Sequence, residues 1–470
     1  MRTLKALVLA ALLALAVVSF AGAQGITVVT TWSSSFTVVN LGDDKATVMA
    51  TFYNENGTKF VVNPLSSGAT PVWNPFILDP HGSRIIVMEY VNGLPGGKYS
   101  IVLSADQPIV AIANVAGHDG AVYYHGSYQG SWATATEAYL PSVSKAFVDW
   151  YSRLAVQNLD AAAQSISVEF YEAGGTSPIC TVSSSVPPYT TRHWNTAGIA
   201  CDTGSIPDGY NGSAVVSSDG PIAVVNEDYN ETGLRAGGTQ VYSGFTQGWT
   251  TLYCPAMYDR FADGQDVWIS SLNVQNIGDQ DDARVRIYYP DGSMEPPGPD
   301  PYSIPPRTSL LLVYNTGDHG PAFAARVEVE NGQPIVAIAN ATIEYEAPSQ
   351  TYECVPSGAP ELYSPLAMKW LASDYNTGFH VQNIGGASTD ICIEYEGGYA
   401  PECRLGVAAD AVAIFVTPGH LDLPAGWSGS ARIYSATNPP VDIVGVVNQG
   451  RGWGYSQTGD QSLSFALFAP

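Results

Sequence analysis

Apolar and polar residues alternate with a period of two along most of this chain. Val285, Ile287 and Tyr289 alternate with Arg284, Arg286 and Tyr288; Ile166, Val168 and Phe170 alternate with Ser167 and Glu169. A strand sends successive side chains to opposite faces, so the pattern predicts strands with one buried and one polar face. The run Ile109 to Ala113 is apolar at every position, which predicts a central strand covered on both sides. Turn signals separate such runs: Asp43-Asp44, Gly174-Gly175, Asp219-Gly220, Asp291-Gly292 and Asn331-Gly332. About six or seven strands per hundred residues with this patterning indicate antiparallel β-sandwiches.

The pattern repeats. Phe36-Thr-Val-Val-Asn40-Leu-Gly recurs as Leu154-Ala-Val-Gln-Asn158-Leu-Asp, Leu272-Asn-Val-Gln-Asn276-Ile-Gly and Phe379-His-Val-Gln-Asn383-Ile-Gly, with Asn spacings of 118, 118 and 107 residues. Eight residues before each Asn stands an aromatic (Trp32, Trp150, Trp268, Tyr375), and 12 or 13 after it stands Tyr53, Tyr171, Tyr289 or Tyr395. A second block, Pro108-Ile-Val-Ala-Ile-Ala-Asn114, returns ending at Asn226, Asn340 and Asn448. Two blocks with one period predict four copies of an all-β unit of about 110 residues.

The order of these motifs resembles tandem immunoglobulin-like modules of bacterial secreted and cell-surface proteins. The resemblance spans essentially the whole chain after its first residues. It implies a fold of four tandem immunoglobulin-like antiparallel β-sandwich modules and an extracellular setting, and it names no ligand. The expected division is a signal peptide at 1–23, modules at 24–130, 131–247, 248–358 and 359–457, and a terminal strand at 458–470. The first module is expected to lack its opening strand.

The first residues read as an export signal. Arg2 and Lys5 precede a short apolar run, Leu7 to Val18, and Ala21-Gly22-Ala23 supplies small residues for cleavage before Gln24. Cleavage leaves 17 basic against 43 acidic residues, a net charge of −26, which disfavours nucleic acid and anionic lipid as partners. With no later apolar run long enough to span a bilayer, membrane insertion is not expected. The expected localisation is secreted or cell-surface. Forty-seven Gly, 32 Pro and only 13% charged residues disfavour long helices.

Six Cys in an exported chain predict disulfides, and six allow 15 connectivities. The repeat frame narrows these to Cys180 with Cys201, Cys254 with Cys354, and Cys392 with Cys403, each within one module.

No nucleophile elbow, zinc pair, phosphate loop or EF-hand loop is present. The seven His occupy no repeated position, and no catalytic residue can be named, so a non-enzymatic protein is expected. No cofactor is implied. Asp279, Asp281 and Asp282 follow a repeated Asn and are weak Ca²⁺ candidates, against the plainer reading of a polar hairpin. The aligned Trp residues are expected to pack; Trp73, Trp132, Trp194, Trp249, Trp370, Trp427 and Trp453 do not align and are better candidates for contact surfaces.

A third element opens modules: Tyr139-Leu-Pro141, Tyr253-Cys-Pro255 and Tyr363-Ser-Pro365. The chain ends Phe465-Ala-Leu467-Phe468-Ala-Pro470, which has the same aromatic-x-Pro form. Three outcomes follow. This strand completes the first module of a neighbouring subunit in a head-to-tail filament, folds back on its own first module to close a ring, or packs on the fourth module. The expected function is a structural or adhesive repeat protein acting on itself or on an extracellular protein or glycan. The alternative is an array of carbohydrate-binding modules.

Overall fold

The computed structural model describes residues 11–15, 31–63, 65–67, 70–119, 122–131, 135–232, 235–263, 266–344, 346–371, 375–451, 458–459 and 462–469. Its strands pair antiparallel except for Thr458–Gly459, which runs parallel to Val122–Gln129, and short 3₁₀ turns such as Thr196–Gly198 join some of them. Strand pairing follows the chain in four quarters. In each, the strand ending at a repeated Asn (Thr31–Asn40, Trp150–Asn158, Asp266–Asn276, Tyr375–Asn383) pairs with a second-block strand. These second-block strands are Ile109–Asp119, the latter half of Tyr210–Asn230, Ile335–Ile343 and Ile443–Arg451. A closing strand completes the sheet: Val122–Gln129, Thr239–Ser243, Ser349–Glu353 or Ser462–Ala466. The facing sheet pairs an opening strand (Ala135–Phe147, Thr251–Asp263, Glu361–Lys369) with the strand that precedes the second block.

The repeated Asn is a clamp. Asn40, Asn158, Asn276 and Asn383 are fully buried. Each Oδ1 accepts the N–H two residues on, from Gly42, Asp160, Gly278 or Gly385, at 2.7–2.9 Å. Each Nδ2 donates to carbonyls on both sides of the loop, as Asn158 does to Ala162 at 2.8 Å and to Val186 at 3.0 Å. Only a primary amide can do both, which explains the residue.

The Tyr-x-Pro element is a bulge. The ladder slips between Leu140 and Val143, between Cys254 and Met257, and between Ser364 and Ala367, so Pro141, Pro255 and Pro365 fall where no ladder N–H is needed. In two quarters a closing-strand phenol satisfies the bulged residue. Tyr242 Oη donates to the Ser142 carbonyl at 2.6 Å and accepts from its N–H at 3.2 Å; Tyr352 does the same for Ala256 at 2.9 and 3.0 Å.

The second block corrects one sequence alignment. Ile109, Ile222, Ile335 and Ile443 lie opposite the four repeated Asn residues. From that anchor the counterpart of Asn114, Asn340 and Asn448 is Glu227, not Asn226. The second copy is one residue short, and a shift of one residue turns a side chain to the other face. Asn226 therefore points inward, and Glu227 faces Arg153 on the outer face at 3.4 Å.

The outer faces of these strands join the quarters. Ile109, Ala111 and Ala113 lie in the first core, while Val110 and Ile112 lie in the fourth. Likewise Ile335, Ala337 and Ala339 lie in the third core and Val336 and Ile338 in the second; Val225 packs into the first and Val446 into the third. The quarters thus close into a ring, and their closing strands meet around its axis. Ser127 Oγ donates to the Ser464 carbonyl at 2.9 Å, Ser464 Oγ to Thr351 at 2.9 Å, Ser349 Oγ to Thr239 at 2.9 Å, and Ser243 Oγ to Gln129 at 2.6 Å.

The chain ends take definite places. Residues 11–15, part of the expected signal peptide, lie antiparallel to Tyr99–Ala105, the edge that an opening strand takes in the other quarters. The rest of 1–23, the expected cleavage site and residues 24–30 lie outside the described residues. Phe468 exchanges backbone hydrogen bonds with Tyr363 as Phe245 does with Tyr139 and Val355 with Tyr253. Phe465, Leu467 and Phe468 are therefore the fourth quarter's own closing segment, buried in its core, and the aromatic-x-Pro likeness to an opening strand is not structural. Pro470 lies outside the described residues.

Three disulfides join Cys180 to Cys201, Cys254 to Cys354 and Cys392 to Cys403. They indicate an oxidising compartment. No helix among the described residues is long and apolar enough to cross a membrane.

Asn158→Ala removes the clamp and is expected to lower unfolding free energy by about 2–3 kcal/mol, measured by urea titration; an unchanged midpoint would contradict the clamp. Replacing Cys254 and Cys354 together by Ala is expected to cost up to about 4 kcal/mol for a loop of this length, read from the same titration.

Candidate functional site

A cavity of about 270 Å³ lies at the seam between the second and third quarters. Its second-quarter wall comes from the residues after the Pro141 bulge, Ser142, Ser144 and Phe147, together with Trp150 and Asp228. Its third-quarter wall is the outer face of a sheet, where Ser271 and Asn273 stand beside Asn340 and Thr342, with Leu311 and Val313 alongside. Alternation along the strand from Asp266 to Asn276 places Leu272 and Val274 in the third core and Ser271 and Asn273 toward the cavity.

Asp228 is fully buried against this wall. Its carboxylate accepts from Ser152 Oγ, from Asn226 Nδ2 at 2.9 Å and from Ser142 Oγ at 3.4 Å. Burial pushes its pKa up to about 7, against the pull of these three donors. Asn273 is 1% exposed, and among the described residues its Nδ2 has no hydrogen-bond partner, although its Oδ1 accepts from Asn340 at 3.3 Å. The cavity thus offers hydroxyls and amides on one side and hydrocarbon on the other, and its lining carries one acidic and one basic side chain, Asp228 and Arg235. Such a lining suits a small neutral polar molecule.

A second cleft, of about 900 Å³, opens at the seam between the fourth and first quarters. It is acidic: Asp43, Asp79, Glu361, Glu394 and Glu396 line it with His81 and Arg432. Burial would raise the Glu361 pKa, but hydrogen bonds from Arg432 and Tyr363 and the Arg432 charge hold it below the usual range. His81 stacks on Tyr363 with centroids 5.1 Å apart. No three His, Cys, Asp or Glu side chains converge as cation ligands among the described residues.

The Ca²⁺ candidates do not act together. Asp279 pairs with Arg307 at 2.7 Å, Asp282 accepts from Ser303 at 2.6 Å, and Asp281 offers its carbonyl to the Asn276 clamp at 2.9 Å. They have separate partners because the hairpin spreads its side chains. Trp150 and Trp268 are each 8% exposed, as packing demands, whereas Trp73 is 68% exposed. Trp132 and Trp453 lie outside the described residues. The cavity residues escaped the sequence analysis because they share no frame position and no spacing motif. The one local signal is the acidic Glu227-Asp228 pair, at two positions that are uncharged in the other copies.

Comparisons with protein-family models and with curated proteins give no match. Among solved structures, a DUF4785-family protein of Legionella pneumophila aligns over 69% of this chain and 82% of its own, at 5% identity and a TM-score of 0.09, a likeness that supports no inference.

Two seam carboxyls make stability depend on pH. Burial raises Asp228 and Glu353 to about 7, and Glu353 accepts the Ser243 N–H at 2.8 Å across the seam. Both pKa values lie above those of the unfolded chain, so the folded state favours the protonated forms. Their contribution is fully present below pH ~4 and is lost as pH rises through ~7. Thermal melts from pH 4 to pH 8 are expected to show this fall superimposed on the other titrations. Asp228→Asn should remove on the order of 2–4 kcal/mol of the pH dependence; a variant whose profile parallels the parent's would refute the assignment.

Proposed function

We propose that this protein is a non-enzymatic extracellular scaffold, secreted or held at the cell surface, in which four immunoglobulin-like modules close into a ring with a structural or adhesive role. The observation that carries this reading is the circle of hydrogen bonds among the four closing strands, backed at every seam by a core shared between neighbours. Seams built from shared cores do not hinge, so the outer loops are held in fixed relative positions. That arrangement serves presentation to a partner better than it serves turnover, which commonly relies on moving segments. The partner is an extracellular protein or glycan. The strongly acidic surface keeps the ring dispersed and disfavours nucleic acid and anionic membranes.

Histidine placement supports a structural role. His380, lowered to about 4 by burial, is neutral at physiological pH and lies 3.4 Å from the Tyr258 phenol across a seam. Donation of the C-terminal strand to a neighbour is not part of this reading, because withdrawing it would uncover Phe465, Leu467 and Phe468 and open the ring.

Light scattering with small-angle X-ray scattering is expected to give a compact monomer for the full-length secreted chain. Deleting residues 458–470 is expected to expand the particle and promote association through the exposed edge. Filaments formed by the intact protein and lost on this deletion would overturn the closed ring in favour of strand exchange.

A further inference from the structure

The cavity between the second and third quarters has a counterpart one seam further on, and there it is filled. Ser144, Tyr258 and Met368 occupy one place in the fold: the N–H of each donates to the hydroxyl of Ser152, Ser270 or Thr377, which stand six residues before a repeated Asn. At the seam between the third and fourth quarters the Tyr258 ring packs against Trp268 and Phe261. Its hydroxyl accepts from Asn448 Nδ2 at 3.1 Å and lies 3.4 Å from His380 Nε2. At the seam before it, Ser144 replaces the tyrosine, and the counterparts of His380 and Asn448 are Asn273 and Asn340. The space that a six-membered ring and its hydroxyl fill at one seam is left open at the other. The amide that would meet the hydroxyl, Asn273 Nδ2, has no partner among the described residues.

We propose that this cavity binds one sugar unit in pyranose form, free or at the end of a glycan. A buried amide donor left unpaired is costly, and a ligand hydroxyl at the place of the Tyr258 phenol relieves that cost. The remaining lining separates a pyranose from other ring compounds. A phenol would answer Asn273 but leave the polar ends of Gln240 and Thr342 facing hydrocarbon. A polyhydroxylated ring offers donors and acceptors around its rim and presents C–H groups to Trp150 and Val313. The lining carries one acid, Asp228, and one base, Arg235, so it has no net charge to favour an ionic ligand. The volume of about 270 Å³ admits one such ring and not a chain of them, so an oligosaccharide enters by its terminal unit. The proposal deepens the adhesive reading by naming a ligand class and rests on it only for the extracellular setting.

The neighbouring seam supplies the test. Ser144→Tyr should plug the cavity with the side chain already used at the next seam, leaving the ring closed. Saturation-transfer NMR on the intact secreted protein would use a fixed panel of glucose, galactose, mannose, fucose and N-acetylglucosamine, with phenol as the non-sugar ring. At least one sugar should give transfer in the parent protein. Ser144→Tyr should abolish it, and Asn273→Ala should weaken it by about 10-fold through loss of one hydrogen bond. Unchanged sugar binding in both variants, no binding of any panel sugar, or binding of phenol alone would each overturn the proposal. Should Ser144→Tyr fail to fold, Asn273→Ala decides the matter by itself. Scattering on the same samples reports ring closure separately, so loss of the ring and loss of the sugar site are distinguishable.

Discussion

The architecture depends on one strand in each quarter being apolar on both faces. An antiparallel strand in an isolated sandwich buries one face and wets the other. Here the second-block strand sends Ile109, Ala111 and Ala113 into its own core and Val110 and Ile112 into the neighbour's. A single stretch of chain therefore contributes to two cores. That constraint fixes the relative placement of quarters, because a sheet packed on both sides cannot rotate without exposing one of its faces. Burial worth roughly 25 cal/mol per Å² of apolar surface holds each seam as it holds each core. The seams are accordingly extensions of the interior and not contacts between separate bodies.

Many of the polar groups inside this arrangement answer backbone groups. The repeated Asn clamps and the phenols of Tyr242 and Tyr352 answer backbone groups that loops and bulges leave unpaired. The fourth quarter solves the same problem differently: Phe465 has no hydroxyl, and Gln449 Nε2 donates to the Leu366 carbonyl at 2.8 Å instead. In the second quarter Asp228 holds that place and takes hydrogen bonds from Ser142 and Ser152. This carboxyl, at a position that is Val115 or Ala341 elsewhere, makes the second-to-third seam unlike the others.

Strain also sits at the seams. His81, Tyr189, Arg307 and Asp410 precede the residues that pair with the clamp Asn strands, and all four adopt left-handed backbone with φ of 56–66°. A side chain pays for that conformation, and glycine would avoid the cost. Three of the four use the side chain across a seam: His81 stacks on Tyr363, Tyr189 stacks on Tyr53 at 4.9 Å, and Arg307 lies 3.9 Å from Glu137. The retained side chain thus offsets the backbone strain with an inter-quarter contact.

The sequence by itself determined the strands, the period and the clamp position, and it pointed to the three disulfide pairs. Each follows from signals a few residues long or from their recurrence: alternation at Val285 to Tyr289, Asn at a fixed place, two Cys in each of the last three copies. It also contained the seam, since an apolar run such as Ile109 to Ala113 requires cover on both faces, although nothing local says what provides it. Tertiary structure alone decided what did. It showed that the second face belongs to the next quarter, that Phe468 closes its own quarter, and that Glu227 replaces Asn226 in the frame. Register is set by pairing across the sheet, and a one-residue slip leaves no mark in local periodicity. The cavity was least legible of all. It exists because Ser144 is small where Tyr258 is large, and that comparison has meaning only once the ring has brought Asn273 and Asn340 opposite the gap.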